Sequence, residues 1–226
     1  MGIIFGDLHF PYVHPLALRW ALDLVKKNKP NFIIQIGDLF DFYWASRYTK
    51  TWFEYSPEQE VTIGRKQALQ FWENVKKAAP KAKCYQLLGN HDVRPILRVL
   101  DRAPELLPFM NTESLFQFDG VTTIIDPKQE LPLTIDGWDV MFQHGHYSKL
   151  GDHMKYNDQS TAVGHSHTGG TFFVRRKQGT LWELNAGFLA DTNAGPMKYR
   201  KQNKCKKTLG LGMIDILGPR FIPYPK

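Results

Sequence analysis

The sequence predicts an α/β fold, because strand and helix patterns alternate in its first half and hairpin patterns follow in its second half. The apolar run Ile3-Ile4-Phe5 and the run at 31–36 are typical of buried strands of a parallel sheet, and a helical pattern separates them. The chain has 226 residues, of which 42% are hydrophobic, enough for one sizeable core. We therefore predict a single domain over residues 1–226.

Local signals predict the elements of the first half. An amphipathic pattern with a lysine-rich last turn indicates a helix over 17–29. Ser56-Pro57-Glu58-Gln59 predicts a capping box for a helix that runs to about residue 79, just before a proline. A third strand is expected at 83–88, and a helix over 93–107 with an interruption near Pro104.

The second half has shorter patterns that favour strands. Residues 115–133 alternate and contain glycine and proline, which indicates short antiparallel strands, and 137–142 is a further buried strand. A helix is expected over 149–157, followed by a very short strand at 161–163. The runs 171–176, 181–185 and 211–216 are typical of hairpin strands, and we expect them in a second sheet.

Composition points to a negatively charged partner. The formal net charge is +7, and much of the excess lies in the tyrosine-containing segment 198–207. This pattern fits a polyanion such as nucleic acid, although a solvated loop fits it equally well. Residues 42–55, a loop or short helical insertion, are rich in aromatic side chains; Tyr43, Trp44 and Trp52 either stack on bases or form a local core.

Targeting and redox signals are weak. No uninterrupted apolar run is long enough for a bilayer, and Met1 leads directly into the first strand without a basic leader. Cys84 and Cys205 are too few and too differently placed for a disulfide framework. We expect a cytoplasmic protein with no membrane partner, and no obligate protein partner is evident.

Five clusters of metal-ligand residue types follow the predicted strands, and each contains a glycine or adjoins one. They are Asp7-Leu8-His9, Gly37-Asp38-Leu39-Phe40-Asp41, Gly89-Asn90-His91-Asp92, His144-Gly145-His146 and Gly164-His165-Ser166-His167. Mixed oxygen and nitrogen donors suit manganese, iron, zinc or nickel better than calcium. Two such ions, about 3.5 to 4 Å apart, need a bridging carboxylate. Asp38 is the natural bridge.

Together these clusters resemble the motifs of the calcineurin-like metallophosphoesterases. Five motifs in order over residues 7–167 form a specific signature, whereas each alone is weak. A sixth motif of the family, Asn-Pro-Gly, corresponds here to Asn185-Ala186-Gly187, without the proline. The resemblance implies a four-layer αββα sandwich, in which two mixed β-sheets are flanked by helices.

The resemblance also implies roles for individual residues. One metal ion would be held by Asp7, His9, Asp38 and His167, and a second by Asp38, Asn90, His144 and His165. His91 would be the general acid, with Asp92 orienting it, and Asp41 would fix a ligand histidine or the bridge. The expected cofactors are two divalent ions, with manganese first and iron, zinc, nickel and magnesium as alternatives.

Several residues have a second interpretation. Asp7, Asp38 and Asn90 could instead cap the helices that follow their strands. His146 competes with His144 for one ligand position, and we expect it near the substrate instead. Arg94 could clamp a phosphate or form a plain salt bridge. His14 and His153 lie outside every motif and are expected to be ordinary surface or turn histidines.

The reaction implied is metal-dependent hydrolysis of a phosphate ester. The Phe10-Pro11 pair and the segment 143–147 also resemble small phosphoesterases of bacteriophage and prophage genomes, which implies the cytoplasm of an infected bacterial cell. Charge and aromatic content favour a nuclease that acts on DNA or RNA. The alternatives are a phosphomonoesterase or a small (cyclic) nucleotide phosphodiesterase, and a binding module without catalysis.

Overall fold

The computed structural model describes residues 1–48, 50, 54–125, 130–177, 179–198 and 207–225. Within them, eleven strands form two mixed sheets with helices outside, which confirms the predicted fold class. None of the described helices is long and apolar enough to cross a membrane. That residues 1–226 make up a single domain stays a prediction.

The first sheet has six strands in the spatial order β11-β10-β1-β2-β3-β4, and the second has five in the order β5-β6-β7-β9-β8. The strands are β1 (Gly2–Phe5), β2 (Phe32–Gln35), β3 (Lys83–Leu87), β4 (Val121–Ile124), β5 (Glu130–Ile135), β6 (Trp138–Gln143), β7 (Thr161–Val163), β8 (Gly170–Arg176), β9 (Gly179–Asn185), β10 (Gly210–Asp215) and β11 (Gly218–Pro223).

The helices are α1 (Pro15–Asn28), α2 (Pro57–Ala78), α3 (Arg94–Arg102), α4 (Asp152–Asn157) and α5 (Gly195–Lys198). Short 3-10 turns lie at Tyr43–Ala45, Pro104–Phe109 and Glu113–Phe116. The capping box predicted at α2 is present: Gln59 N donates to Ser56 Oγ, and Ser56 N donates to Gln59 Oε1. α1 begins earlier than expected, at Pro15, because the His14 ring accepts a hydrogen bond from Ala17 N.

Successive residues of the central strands β1 and β2 face opposite sides of the first sheet and so belong to two different core layers. Ile3 and Ile33 pack with the helix-side core, whereas their neighbours Ile4 and Ile34 pack between the sheets. In the second sheet Leu184 faces the same inter-sheet core. α4 contacts β7 and β9. Both sheets are therefore covered on both faces where the site is built.

Three strand predictions were wrong or incomplete. β4 pairs with β3 in parallel, although residues 115–133 were expected to form antiparallel strands. β10 lies beside β1 in the first sheet, although 211–216 was expected in the second. Its hairpin partner β11 was not predicted. The helices α3 and α4 are also shorter than expected.

Parallel register sets the position of the site. Phe5 pairs with Gln35, and Gln35 pairs with Gln86, so β1, β2 and β3 end at the same edge of the first sheet. β6, β7 and β9 are likewise parallel to one another. The loops that follow these strands meet at one edge of the sandwich.

Candidate metal centre

The loops at this edge place several side chains through unusual backbone conformations. Four non-glycine residues of the motifs have a positive φ: His9 (50°), Asp38 (53°), His165 (64°) and His167 (60°). Non-glycine residues rarely adopt this conformation, and such residues cluster at functional sites. Gly89 allows the approach of two loops, since a Cβ there would lie 2.2 Å from Asp38 Oδ1.

Four buried side chains form an inner group: Asp7, His9, Asp38 and His167. Asp7 Oδ2 lies 2.7 Å from His167 Nε2, and His9 Nε2 lies 3.2 Å from the same nitrogen. Asp38 Oδ2 is 3.9 Å from His9 Nε2. One potential ligand atom from each residue lies within 4.8 Å of the others.

A second set, the outer group, shares Asp38 and adds Asn90, His144 and His165. Asp38 Oδ2 lies 3.3 Å from His144 Nε2. Asn90 Oδ1 lies 3.1 Å from His144 Nε2 and 2.8 Å from His165 Nδ1. The four side chains therefore converge, and Asp38 belongs to both groups.

The donor chemistry of both groups fits divalent cations. Unprotonated imidazole nitrogens that face each other across 3.2 Å repel unless a proton or a cation lies between them. His144 Nδ1 lies 3.1 Å from the Ile36 carbonyl oxygen, which leaves Nε2 as the nitrogen that faces Asp38 and Asn90. A hydrogen bond of this kind fixes the tautomer and leaves Nε2 available to a cation.

Asp41 lies directly behind the inner group. Its Oδ2 is 3.1 Å from His9 Nδ1, as expected for a carboxylate that orients a ligand histidine. Its backbone oxygen is 3.1 Å from His91 Nδ1, and its Oδ1 is 3.6 Å from the same atom. A single aspartate thus contacts both rings.

Arg94 reaches the same corner. Its Nη1 donates to the Asp41 backbone oxygen at 3.0 Å and forms a salt bridge with Asp41 Oδ1 at 3.3 Å. Its Nη2 lies 2.7 Å from His91 Nε2, and that nitrogen is 3.8 Å from Asp38 Oδ2. The salt bridge weighed for Arg94 from the sequence is present, and the His91 ring is held at both nitrogens.

Asp92 does not occupy the position expected of a residue that orients His91. Its carboxylate accepts hydrogen bonds from the backbone nitrogens of Phe40 (2.9 Å), Gly89 (2.8 Å) and Leu39 (3.2 Å). Burial and the nearby Asp38 charge raise the pKa of Asp92 to about 7, although the backbone donors oppose this shift. Asp92 therefore joins two ligand loops, and Asp41 is the carboxylate beside His91.

The carboxylates of the two groups favour their charged forms. Burial alone would raise the pKa of Asp7 and Asp38, but neighbouring histidines outweigh it and lower both. Burial would also raise the pKa of Asp41, but His91 and His9 outweigh it and hold this pKa well below its usual range. Burial lowers the pKa of His144, yet the Asp38 carboxylate raises it to about 9. The chain itself thus provides a buried negative site suited to cations.

Two residues of this region were not given a role from the sequence. His153 was expected to be an ordinary surface or turn histidine, but it is buried, and its Nε2 accepts from the backbone nitrogens of His146 (2.9 Å) and Tyr147 (3.0 Å). Its Nδ1 lies 3.6 Å from Glu183 Oε1. No local pattern could reveal this, because Glu183 is 30 residues away in the sequence.

Asn185 holds the loop that carries His165 and His167. Its Nδ2 donates to Gly164 O (2.9 Å) and Ser166 Oγ (2.8 Å), and its Oδ1 accepts from Gly187 N (3.0 Å). The sequence indicated Asn185 through the Asn-Ala-Gly counterpart of the family's Asn-Pro-Gly turn, but it did not give these contacts. His146 is exposed and lies outside both groups, and the centre of its ring is 4.0 Å from that of Tyr147, with the two rings tilted by 48°.

The aromatic segment is partly described. Tyr43 is buried and Trp44 packs against the helix-side core, which favours the local-core interpretation for both. Glu60 accepts hydrogen bonds from their backbone nitrogens at 2.6 and 3.3 Å. Trp52 and residues 199–206 of the basic segment lie outside the described residues.

Two proteins of mycobacterial phages are similar to this chain over nearly its whole length. The chain is 24% identical to the Gene 54 protein of Mycobacterium phage D29 and 23% identical to that of Mycobacterium phage L5. The two alignments cover 98% of this chain in both cases, and 92% and 91% of the phage proteins.

Two solved structures are similar at lower identity. A novel archaeal phosphodiesterase superposes with a TM-score of 0.49 at 16% identity and covers 99% of each chain. Yfce, a phosphoesterase from E. coli, superposes with a TM-score of 0.46 at 15% identity and covers 95% of this chain and 87% of its own.

A sequence profile decides the family. The profile of the calcineurin-like phosphoesterases matches residues 3–192, which include both ligand groups and His91. Members of this family use divalent metal ions. The chain therefore belongs to the calcineurin-like phosphoesterase family and is a metal-dependent hydrolase of phosphate esters.

Proposed function

We propose that the protein is a nuclease that cleaves phosphodiester bonds of DNA or RNA with two divalent metal ions. The observation that carries the metal part is the position of Asp38 Oδ2, 3.9 Å from a nitrogen of the inner group and 3.3 Å from a nitrogen of the outer group. A carboxylate in this position can bridge two adjacent ions.

The inner group would hold one ion and the outer group the other, with Asp38 shared. Bound divalent ions would supply positive charge against the phosphoryl oxygens and make water a stronger nucleophile at neutral pH. The mixture of carboxylate, amide and imidazole donors suits manganese first, with iron, zinc, nickel and magnesium as alternatives.

His91 is the proposed general acid. Its Nε2 points toward Asp38 and Arg94, and its Nδ1 is fixed by Asp41. Nε2 can carry a proton only when Arg94 no longer donates to it, and that proton would pass to the leaving oxygen of the cleaved bond. Arg94 would then interact with the phosphate instead of the ring. Asp92 keeps the two loops that carry Asp38 and Asn90 in place.

Charge and relatives support a nucleic-acid substrate. The formal charge of +7 favours a polyanion, and bound cations would reduce the negative charge of the site. The relatives named above are phage proteins, which supports action in the cytoplasm of an infected bacterial cell. His146, exposed beside the outer group's loop, would contact the substrate.

The decisive experiment is a gel assay with single- and double-stranded DNA and with RNA in manganese. We expect cleavage that is lost with a chelator and that weakens steeply with salt, because counterion release dominates such binding. An Asp38→Ala variant purified in parallel controls for contaminating nucleases. Rapid turnover of a chromogenic monoester without any cleavage of nucleic acid would instead establish a phosphomonoesterase.

A further inference from the structure

Two fully buried glutamines lie where the strands of the first sheet lead into the candidate metal centre. Gln35 is the last residue of β2, and it is paired in register with Gln86 of the neighbouring parallel strand β3. Each of the two residues is 0% exposed. A buried carboxamide destabilises the folded protein unless its donors and acceptors find partners. The two amides find different partners, although they are equally buried.

Gln35 uses both ends of its amide to hold the turn that precedes Asp38. Its Nε2 donates to the Gly37 backbone oxygen at 2.8 Å, and its Oε1 accepts from Gly37 N at 2.9 Å. Gly37 and Asp38 both have a positive φ, of 102° and 53°. A non-glycine residue rarely adopts this conformation, which persists only where surrounding contacts stabilise it. Gln35 supplies two such contacts to the residue directly before Asp38.

The amide of Gln35 also reaches the loop that carries Asp7. Its Nε2 donates to the backbone oxygen of Gly6, the residue directly before Asp7, at 3.2 Å. On the other side of the two aspartates, His9 N donates to the Asp38 backbone oxygen at 3.0 Å. The two loops are therefore joined both before and after their aspartates, and Gln35 makes the connection before them.

Gln86 supports this amide from the neighbouring strand. Its Nε2 donates to Gln35 Oε1 at 2.5 Å and to the Leu87 backbone oxygen at 2.6 Å. Its Oε1 has no hydrogen-bond partner among the described residues. Within the described part of the chain, the Gln86 side chain thus makes no hydrogen bond to the loops of Asp7 and Asp38. It is a buried amide of the same kind that lacks the contacts of Gln35.

We propose that Gln35 is a positioning residue that sets the separation of the Asp7 and Asp38 carboxylates for the two metal ions. The inference rests on the proposed metal centre, but not on the nature of the substrate. Asp7 belongs to the inner group and Asp38 to both groups, so a shift of either loop changes the distances between ligand atoms. Loss of a residue that holds metal ligands in place typically lowers metal affinity by about 10- to 100-fold.

Gln35→Met tests this role, because methionine has a similar length and no hydrogen-bond donor in its side chain. We expect its affinity for manganese, measured by titration of the metal-free protein, to fall by about 10- to 100-fold. Gln86→Met is the matched control, since it removes an equally buried amide from the same register, and its affinity should stay close to that of the unmodified protein. In the metal-free proteins, backbone hydrogen exchange at 36–39 should be faster in Gln35→Met than in Gln86→Met.

Two further measurements separate positioning from a general loss of stability. Gln35→Met should regain part of its turnover of a chromogenic diester in excess manganese, because weakened binding can still be saturated. The double variant Gln35→Met/Gln86→Met leaves neither amide without the other, so it should be at least as stable as Gln35→Met. Its affinity for manganese should nevertheless stay low. If Gln35→Met does not fold, this double variant is compared with Gln86→Met instead.

Two negative results have different meanings. If Gln35→Met and Gln86→Met bind manganese equally well, while Asp38→Ala loses it, the positioning role is wrong and the metal centre stands. If the unmodified protein binds no manganese, or if Asp38→Ala binds it as tightly as the unmodified protein, the proposed metal centre is wrong, and the role of Gln35 with it.

Discussion

The two ligand groups differ in how deeply they are buried. Every side chain of the inner group is at most 2% exposed, and the His167 ring stacks on Phe188 at 4.8 Å. In the outer group His144 is buried, but Asn90 is exposed and His165 is half-buried. The shared Asp38 is 1% exposed.

This difference follows from the origin of the loops. The inner group combines the ends of the two central parallel strands with a buried loop from the second sheet, whereas Asn90 lies on the turn before α3, at the rim. A buried ion exchanges its ligands slowly, since water cannot readily replace them. We therefore expect the inner ion to be retained and the outer ion to exchange and to meet the substrate.

The largest effect is expected from Asp38→Ala, which removes the only side chain shared by the two groups. Both ions should be lost and hydrolysis abolished, because the remaining histidines no longer share a carboxylate between them. Metal analysis and turnover of a chromogenic diester measure this. The control is Asp23→Ala, an exposed aspartate on α1. If Asp38→Ala still bound two ions, Asp38 would not be the carboxylate that both ions share.

His91→Ala tests a residue that contacts Asp38, the side chain shared by the two groups, without belonging to either group. The variant should keep its metal and lose roughly 10²- to 10⁴-fold in rate, because only proton transfer is removed. The loss should be greatest for substrates with poor leaving groups, which need protonation most. Full activity on such a substrate would show that His91 is not the acid.

Asn90→Ala sharpens the comparison between the groups. Loss of its Oδ1 should weaken binding of the outer ion by about 100-fold or more and leave the inner ion in place. Titration with manganese would then show about one tightly bound ion per chain, and excess metal should restore part of the activity. Asn157→Ala, at the end of α4, is the control. If Asn90→Ala lowered the affinity for both ions equally, the two groups would not bind their ions independently.

The smallest effect concerns Glu60, a buried carboxyl behind the inner group. Burial and the Asp41 charge raise the pKa of Glu60 from 4.5 to about 7. Because the folded state binds this proton more tightly than the unfolded chain, the free energy of unfolding should fall as pH rises from about 4.5 to about 7, by roughly 3 kcal/mol. Above about pH 7 the contribution of Glu60 to the free energy of unfolding no longer changes with pH.

Denaturant unfolding at several pH values measures this effect. Glu60→Gln should make the stability less dependent on pH between 5 and 7, whereas Glu58→Gln, an exposed residue of the same helix, should not. An unchanged pH dependence in Glu60→Gln would mean that the carboxyl is ionised throughout.

Much of the fold could be predicted locally. The Ser56 capping box and the apolar runs of β1 and β2 are signals carried by neighbouring residues, and they were confirmed. The partners of β4 and β10 were not predictable in this way. Both strands pair with segments distant in sequence, and the same alternating pattern is compatible with either sheet and either direction.

For the site, motifs supplied the residues and tertiary structure supplied their arrangement. The order of aspartates, histidines and glycines along the chain was sufficient to indicate the family, because each motif is a short turn at a strand end. Only the packed sheets decided that Asp41 lies beside His91, that Asp92 joins two loops and that His153 is buried. These contacts depend on distances between loops of different strands. Local sequence cannot encode such distances, since they arise when the core closes.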